Sequence, residues 1–301
     1  MLTGVVMVWE PNGDRLSVDR ELFSVADTAQ IVAVSITTQE STHQLTRQGN
    51  RWQIDQQYPV EPSIAQVLLS LVHDVRVFRP VSQRESDSIR DLLSEEGIRV
   101  TISGPAGTMQ DWLVGGSERT ATSYFMPYGT EQPYLVHLPG YRSYLAGLFQ
   151  MPANDWRERT IIDLPYTLLS EITWEYSSPG LENVSLQKTG AFFEVPGVAK
   201  LDTNRVVQVV QQLQFFQADY YINSGDFARF DSLITTPEVL KISVIPFERS
   251  QAQVLELWPL LPGDQYRLAR MDQQWLLLED RRVRMLFLQP QDFTARSRRS
   301  F

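Results

Sequence analysis

The chain has no cysteine, which excludes disulfides, thiolate metal sites and cysteine nucleophiles. That absence suits a cytosolic chain and an extracytoplasmic one equally. Histidine is scarce: His43, His73 and His137 are the only three. None has a second histidine or a carboxylate at metal-ligand spacing, so neither a metal nor a cofactor is expected. His43 reads as an exposed residue ahead of a strand, and His137 as a strand residue. His73 falls near the end of a helix, where a cationic side chain suits the dipole. Lysine is confined to positions 188, 200 and 241, and every other basic residue is arginine. A net charge of −9 leaves no basic footprint for nucleic acid. No apolar run reaches the roughly 20 residues that a bilayer span requires.

The nearest approach is the short run of Leu2, Val5, Val6, Met7, Val8 and Trp9, which ends at Glu10-Pro11-Asn12-Gly13-Asp14. It lacks the basic flank of a signal peptide. It reads either as a first β-strand or loose terminus, or as the outer end of a transmembrane anchor. In the second case Trp9 and the polar turn mark the interfacial boundary.

What is present is globular: 43% of the 301 residues are hydrophobic and 21% charged, material for two ordinary domains or one large one. Residues 10–28 are polar, with Leu22 and Phe23 an isolated apolar pair. A strand is predicted at Ile31–Ile36, and a hairpin from Gln44 to Ile54 turns at Gly49-Asn50. Pro62-Ser63 opens a helix whose Ile64, Val67, Leu68 and Leu71 fall on one face. A strand at Val75–Phe78, a polar helix at Ser86–Leu93 and four strands at 98–103, 109–114, 121–127 and 133–138 follow.

The same order then recurs. There is a strand at Leu169–Tyr176, a hairpin about Thr189-Gly190, and a helix capped by Asp202 or Thr203 with Val206, Val209, Val210 and Leu213 on one face. An aromatic strand runs from Phe215 to Ile222, with later strands at 239–245, 253–258, 265–269 and 274–278. Gly190 and Phe193 follow Gly49 and Trp52 by 141 residues (190 − 49; 193 − 52). Val209 follows Val67 and Leu213 follows Leu71 by 142 (209 − 67; 213 − 71), and Trp275 follows Tyr134 by 141 (275 − 134). The expected fold is α+β: two tandem similar units, each an antiparallel sheet with one or two helices packed on it. The units are placed at 29–150 and 169–290. Residues 1–28 are a possible anchor remnant, 151–168 a connecting segment, and 291–301, with Arg296, Arg298 and Arg299, a disordered basic tail.

No catalytic constellation emerges. Gly104-Pro105-Ala106-Gly107 opens no helix, so it cannot cradle phosphate, and there is no P-loop or nucleophile elbow. The pairs Glu95-Glu96 and Glu279-Asp280 hold adjacent side chains that diverge, so both read as solvated faces. Aromatic density is highest around Tyr124, Met126 and Tyr128 and around Tyr220 and Tyr221. With Trp156, Arg157 and Arg159 of the charged Asp155–Arg159 cluster these are candidates for an interaction surface. Against that, aromatic clusters more often form cores, and the charged cluster reads better as a salt-bridge patch between lobes.

Several motifs resemble the DUF4340 family. Gly49-Asn50-Arg51-Trp52-Gln53-Ile54, Pro59-Val60-Glu61-Pro62 and the helix with Val67-Leu68-Leu69 and Leu71 are similar to its opening, G-x-x-W-x-I, then P-V-D, then V-x-x-L-L-x-x-L. Trp112-Leu113-Val114-Gly115, Ser123-Tyr124-Phe125 and Pro133-Tyr134-Leu135-Val136 resemble its middle block. Trp156–Leu164 resembles its link to the next strand. The likeness covers roughly residues 30–220 and repeats weakly to 290. It departs at Glu61, where Asp is usual, and at Glu96-Gly97-Ile98, where the family has Y-G-L. The resemblance implies a protein with no established catalytic residues, tethered by one N-terminal transmembrane helix on the outer face of the bacterial inner membrane. It implies work beside an ABC permease of the gliding-motility kind and its auxiliary subunit. The expected function is therefore a non-enzymatic, membrane-anchored extracytoplasmic accessory subunit that touches the membrane only through that anchor. The alternative is a periplasmic binding module for a small molecule, peptide or glycan in a cleft between the repeats. An enzyme working around Asp155–Arg159 is the weakest expectation.

Overall fold

The computed structural model describes residues 18–141, 143–223, 225–248 and 252–295. The run Leu2–Trp9 and the residues Arg296, Arg298 and Arg299 lie outside them. The chain divides into two compact units, Met1–Met151 and Pro152–Phe301. The described residues form an α+β fold with two antiparallel sheets, of nine and eight strands, and six α-helices.

In the first unit β1 (Ala33–Thr37), β2 (Thr42–Gln48), β3 (Arg51–Ile54) and β4 (Tyr58–Pro59) precede α1 (Pro62–Asp74). Then come β5 (Arg76–Pro80), α2 (Gln83–Glu95), β6 (Ile98–Gly104), β7 (Gly107–Ser117), β8 (Thr122–Pro127) and β9 (Tyr134–His137). The sheet order is β4-β3-β2-β1-β6-β7-β8-β9-β5. Alternation builds its inner face: Val34 sits between Leu45 and Ile102, and Val100 pairs with Trp112, all of them buried. α1 turns Ala65, Leu68, Leu71 and Val72 inward. Leu68, Leu71 and Val72 each contribute about 1.5–3 kcal/mol. On the other face α2 lies over β7 and β8. A Cβ on Gly115 would stand 2.9 Å from Leu93 Cδ2, so the glycine lets this leucine lie close against β7.

The polar lead-in belongs to this core. Phe23 is fully buried, edge-on to Trp112, Phe125 and Tyr134 at 6.0, 5.5 and 5.7 Å. The Val25 N–H donates to Val72 O, and the Val77 N–H to Arg20 O, each at 3.0 Å. Residues 20–28 thus tie the end of α1 to β5 and are part of the first repeat, a correction to a repeat starting at residue 29.

The second unit contains α3 (Ala153–Trp156), β10 (Leu169–Tyr176), β11 (Val184–Thr189), β12 (Phe192–Glu194), α4 (Thr203–Gln214), β13 (Tyr220–Tyr221) and α5 (Asp231–Ile234). β14 (Leu240–Pro246), β15 (Gln253–Leu257), β16 (Tyr266–Met271), β17 (Gln274–Glu279) and α6 (Asp280–Val283) complete it. Its order, β12-β11-β10-β14-β15-β16-β17-β13, repeats the first sheet strand for strand without a partner for β4. The register repeats too: Ile172 sits between Leu186 and Val244 as Val34 does between Leu45 and Ile102. Asp202 caps α4, accepting from the Asn204 and Arg205 N–H groups, a contribution of about 1 kcal/mol.

Four expectations change here. Residues 151–168 are not a mere connection: Trp156 and Ile162 are buried, the Ile161 N–H donates to Phe216 O at 2.9 Å and the Ala218 N–H to Arg159 O at 2.8 Å. This segment is the second unit's version of residues 20–28. The aromatic stretch Phe215–Ile222 is strand only at Tyr220–Tyr221, because Phe216 and Ala218 give their N–H groups to a turn and to this lead-in. Residues 291–295 are ordered: Phe293 is fully buried 6.3 Å from the Trp174 ring, and Asp202 and Ala295 exchange backbone hydrogen bonds with Phe293 and Lys200. Finally, Asp280 is buried rather than solvated.

The internal alignment also shifts by one residue in two places. Ala65, Leu68 and Val72 correspond to Val206, Val209 and Leu213, so the helices align at 141 residues (206 − 65), not 142. Val67 therefore matches Gln208 and lies outside the buried face. In the late strand Pro133 matches Trp275: their carbonyls accept from the Val81 and Ile222 N–H groups, an offset of 142 (275 − 133).

Candidate functional site

The sequence-derived surface does not form as one patch. Tyr124 and Met126 lie on β8, where Phe125 and Met126 are both buried because the sheet is covered on both faces. Met126 is therefore withdrawn from any surface, and Tyr124 is half-buried. Tyr128 is exposed, but the Arg99 guanidinium stacks 3.6 Å above its ring. Arg99 is fixed by two hydrogen bonds to Asp111, at 3.0 and 2.8 Å, which raise its already high pKa.

In the second unit Trp156 and Arg157 are buried, so they too are withdrawn. Arg157 stacks 3.7 Å over the half-buried Tyr221, and its Nη1 donates to Asn154 Oδ1. The Tyr221 hydroxyl donates to Glu158 O at 2.8 Å, and Asn154 Nδ2 donates to Tyr221 O. The cluster is a staple fixing the lead-in to β13, which explains its density of aromatic and charged groups. Tyr220 remains exposed, edge-on to Tyr266 at 5.4 Å, and Arg159 is exposed.

Asp280 holds the most strongly organised ionic group. It accepts from Arg267 Nη2 at 2.6 Å and Arg284 Nε at 2.5 Å, while Arg267 also donates to Trp258 O. Burial pushes its carboxyl up, but the hydrogen bonds and charges of the two arginines outweigh that and hold it below its ordinary value. Every oxygen is engaged with a partner from the same unit, which marks a structural triad. His43 likewise pairs with Asp55 at 2.9 Å. Among the described residues no group of three or more His, Cys, Asp or Glu side chains could hold a metal ion, and no helix is long and apolar enough to cross a membrane.

The unabsorbed feature lies along the outer side of α1. Leu138-Pro139-Gly140-Tyr141 is a tight turn: the Tyr141 N–H donates to Leu138 O at 3.0 Å, and Gly140 takes φ +82°. Proline and glycine at these two positions are the residues such a turn requires. The chain then returns over the middle of the sheet, where buried Ser123 Oγ on β8 accepts from the Leu145 and Ala146 N–H groups. Between this return and α1 runs a groove of about 800 Å³, walled by Val67 and Leu71 on one side and Leu138, Tyr141, Tyr144 and Leu148 on the other. Burial raises the Tyr144 hydroxyl pKa, opposed by a hydrogen bond from Gln150. Beyond Tyr141 lies a second hollow of about 420 Å³, shared by Tyr141, Phe78, Leu135 and His137.

Of the five large apolar side chains exposed in the described first unit, Val67 (55%), Tyr141 (75%) and Phe78 (63%) line these two adjoining hollows. The second unit has a crevice of about 940 Å³ between the first turns of α4 and residues 291–295. It is lined by Asp202, Asn204, Arg205, Gln208 and Asp292. At the positions of Ser63 and Val67 it carries Asn204 and Gln208, while Val207 and Phe215, at the positions of Gln66 and Asp74, are exposed. Sequence reasoning missed this face by assigning Val67 to the core. The signal was present in the repeat, since Val67 falls opposite Gln208 once the helices align. No family model, curated protein or solved structure matches the chain.

Proposed function

We propose that this protein is a non-enzymatic accessory subunit that docks another protein on the Val67–Tyr141–Phe78 face of its first unit. In this reading it is membrane-anchored, faces outward from the bacterial inner membrane, and serves an ABC-type transport system of the gliding-motility kind. The concentration of exposed apolar side chains on one face of the first unit supports docking. The DUF4340 resemblance supplies the compartment and the partner class: an ABC permease and its auxiliary subunit.

The test is recovery from mild-detergent membranes of wild-type and Val67→Glu protein carrying any upstream reading frame. The proposal expects the permease or its auxiliary subunit with wild type and at least a tenfold loss with Val67→Glu. Equal recovery with both, or a solitary protein in the soluble fraction, would overturn it. A second reading, a binding module for a small molecule, peptide or glycan, draws on the groove volume of about 800 Å³. A thermal shift with such a ligand that Val67→Glu removes would favour that reading instead.

A further inference from the structure

The geometry points to an amphipathic α-helix, carrying a basic residue at one end, as the element that lies in the α1 groove. This inference rests on the docking reading and names the chemistry of its partner. Four observations converge.

The first is shape. From Ser63 to Asp74 the groove follows α1 for eleven residue steps, about 16 Å at 1.5 Å per residue. That is the length of a three-turn helix.

The second is backbone chemistry. Among the described residues the groove is walled by α1 and by the loop and 3-10 turn that follow β9, and none of the lining residues lies in a strand. An extended segment would find no ladder for its N–H and C=O groups on this apolar surface. A helix satisfies them internally.

The third is the surface of α1 itself. Ser63, Val67, Ser70 and Asp74 lie one above another on the groove side. The two serines are exposed and small, so a second helix can approach closely, with Val67 between them as the apolar contact.

The fourth is charge. Among the described residues that line the groove Asp74 is the one that is charged, and its side chain is 54% exposed. It stands in the last residue of α1, at the negative end of the helix dipole. His73 Nδ1 lies 2.7 Å from one carboxylate oxygen. Arg76, the nearby cation, is turned onto the His73 and Val75 carbonyls and toward Glu21. The groove therefore ends in an acidic pole that faces solvent, complementary to an arginine or lysine at one end of the incoming helix. The second unit's crevice, lined by Asp202, Arg205 and Asp292, carries both signs and has no such polarity.

The experiment uses the full chain and two fluorescein-labelled 14-residue peptides. Both share an alanine-rich helical frame and a leucine stripe at i, i+3, i+7 and i+10; one ends in arginine and the other in glutamate. The inference expects the arginine peptide to bind wild type at least tenfold more tightly than the glutamate peptide. Asp74→Arg, a change that suits a helix C-terminus and leaves folding intact, should reverse that order, and Val67→Glu should abolish both. If both peptides bind wild type equally, and Val67→Glu abolishes binding while Asp74→Arg does not change the order, the charge assignment fails and groove docking stands. If neither peptide binds, or Val67→Glu is without effect, a helix does not occupy this groove and the inference is overturned.

Discussion

Gln132 and Gln274 make the same pair of hydrogen bonds in the two units. Gln132 Nε2 donates to its neighbour's carbonyl, Pro133 O, at 2.7 Å and across to Val81 O at 3.3 Å. Gln274 Nε2 donates to Trp275 O and to Ile222 O, each at 3.1 Å. Each amide pins the last strand of its sheet to the chain emerging from the outermost strand, β5 or β13. A shared side-chain clamp, together with a shared strand order, ties the two folds more closely than their low identity suggests.

Removing either clamp should loosen its own sheet edge. Gln132→Leu and Gln274→Leu are each expected to cost about 1–2 kcal/mol, as carbonyls at the edge lose their donor. Hydrogen exchange reports this locally: protection should fall at the Val81 N–H in the first variant and at the Ile222 N–H in the second. Unchanged protection would remove the clamps from the account of the fold.

Asp280→Asn should destabilise the second unit by about 3 kcal/mol at neutral pH, because Arg267 is left buried without its counter-charge. The pH dependence has a definite sign. A carboxyl held below its unfolded value contributes stability that is complete above that value, about 3.9, and is lost as pH falls through the lower folded value. Urea midpoints of wild type and Asp280→Asn should therefore differ at pH 7 and converge as the pH falls below the unfolded value and through the lower folded one. A constant difference across that window would contradict the assignment.

Arg157 and Tyr221 should be energetically coupled. A double-mutant cycle with Arg157→Ala and Tyr221→Leu is expected to give about 1 kcal/mol of interaction, from a desolvated cation over an aromatic face. Arg157→Lys should restore little of it, since an ammonium cannot stack as a planar guanidinium does. Additive effects would show that the stack contributes nothing.

Much of the architecture was legible because alternation and turn chemistry are local. Gly49 and Gly190 mark equivalent hairpins at φ +62° and +65°, and the core face of α4 follows directly from its valine spacing. What was not legible depends on tertiary partners. Phe23 looks isolated in a polar stretch, yet it fills the centre of an aromatic cluster contributed by three strands. Arg157 looks like a surface residue because its partners, Tyr221 and Asn154, are distant in sequence or unremarkable in type. Asp280 looks solvated because Arg267 reaches it from the neighbouring strand β16. Val67 was misplaced by one helical position, set opposite Val209 by a 142-residue offset, where the hairpin's offset of 141 carried on into the helix would have set it opposite Gln208. The docking face followed from that single residue.

Glycine at position 140 should matter to docking more than to stability. Gly140→Ala forces a side chain into φ +82°, at a cost of about 1 kcal/mol. It should also displace Tyr141 from between the two hollows. Partner recovery should fall severalfold while the melting temperature drops by only a few degrees. Retention of full partner recovery would separate Tyr141 from the docking face.

The most direct test of the central claim is site-specific photo-cross-linking in membranes of the native host, with a benzophenone amino acid placed at Val67, Tyr141, Phe78 or, as an exposed control in the same unit, Val32. The account predicts that the first three positions capture one and the same membrane protein, a permease or its auxiliary subunit, and that Val32 does not. Capture of that protein from Val32 as strongly as from Tyr141, or no adduct at any of the three positions, would contradict it.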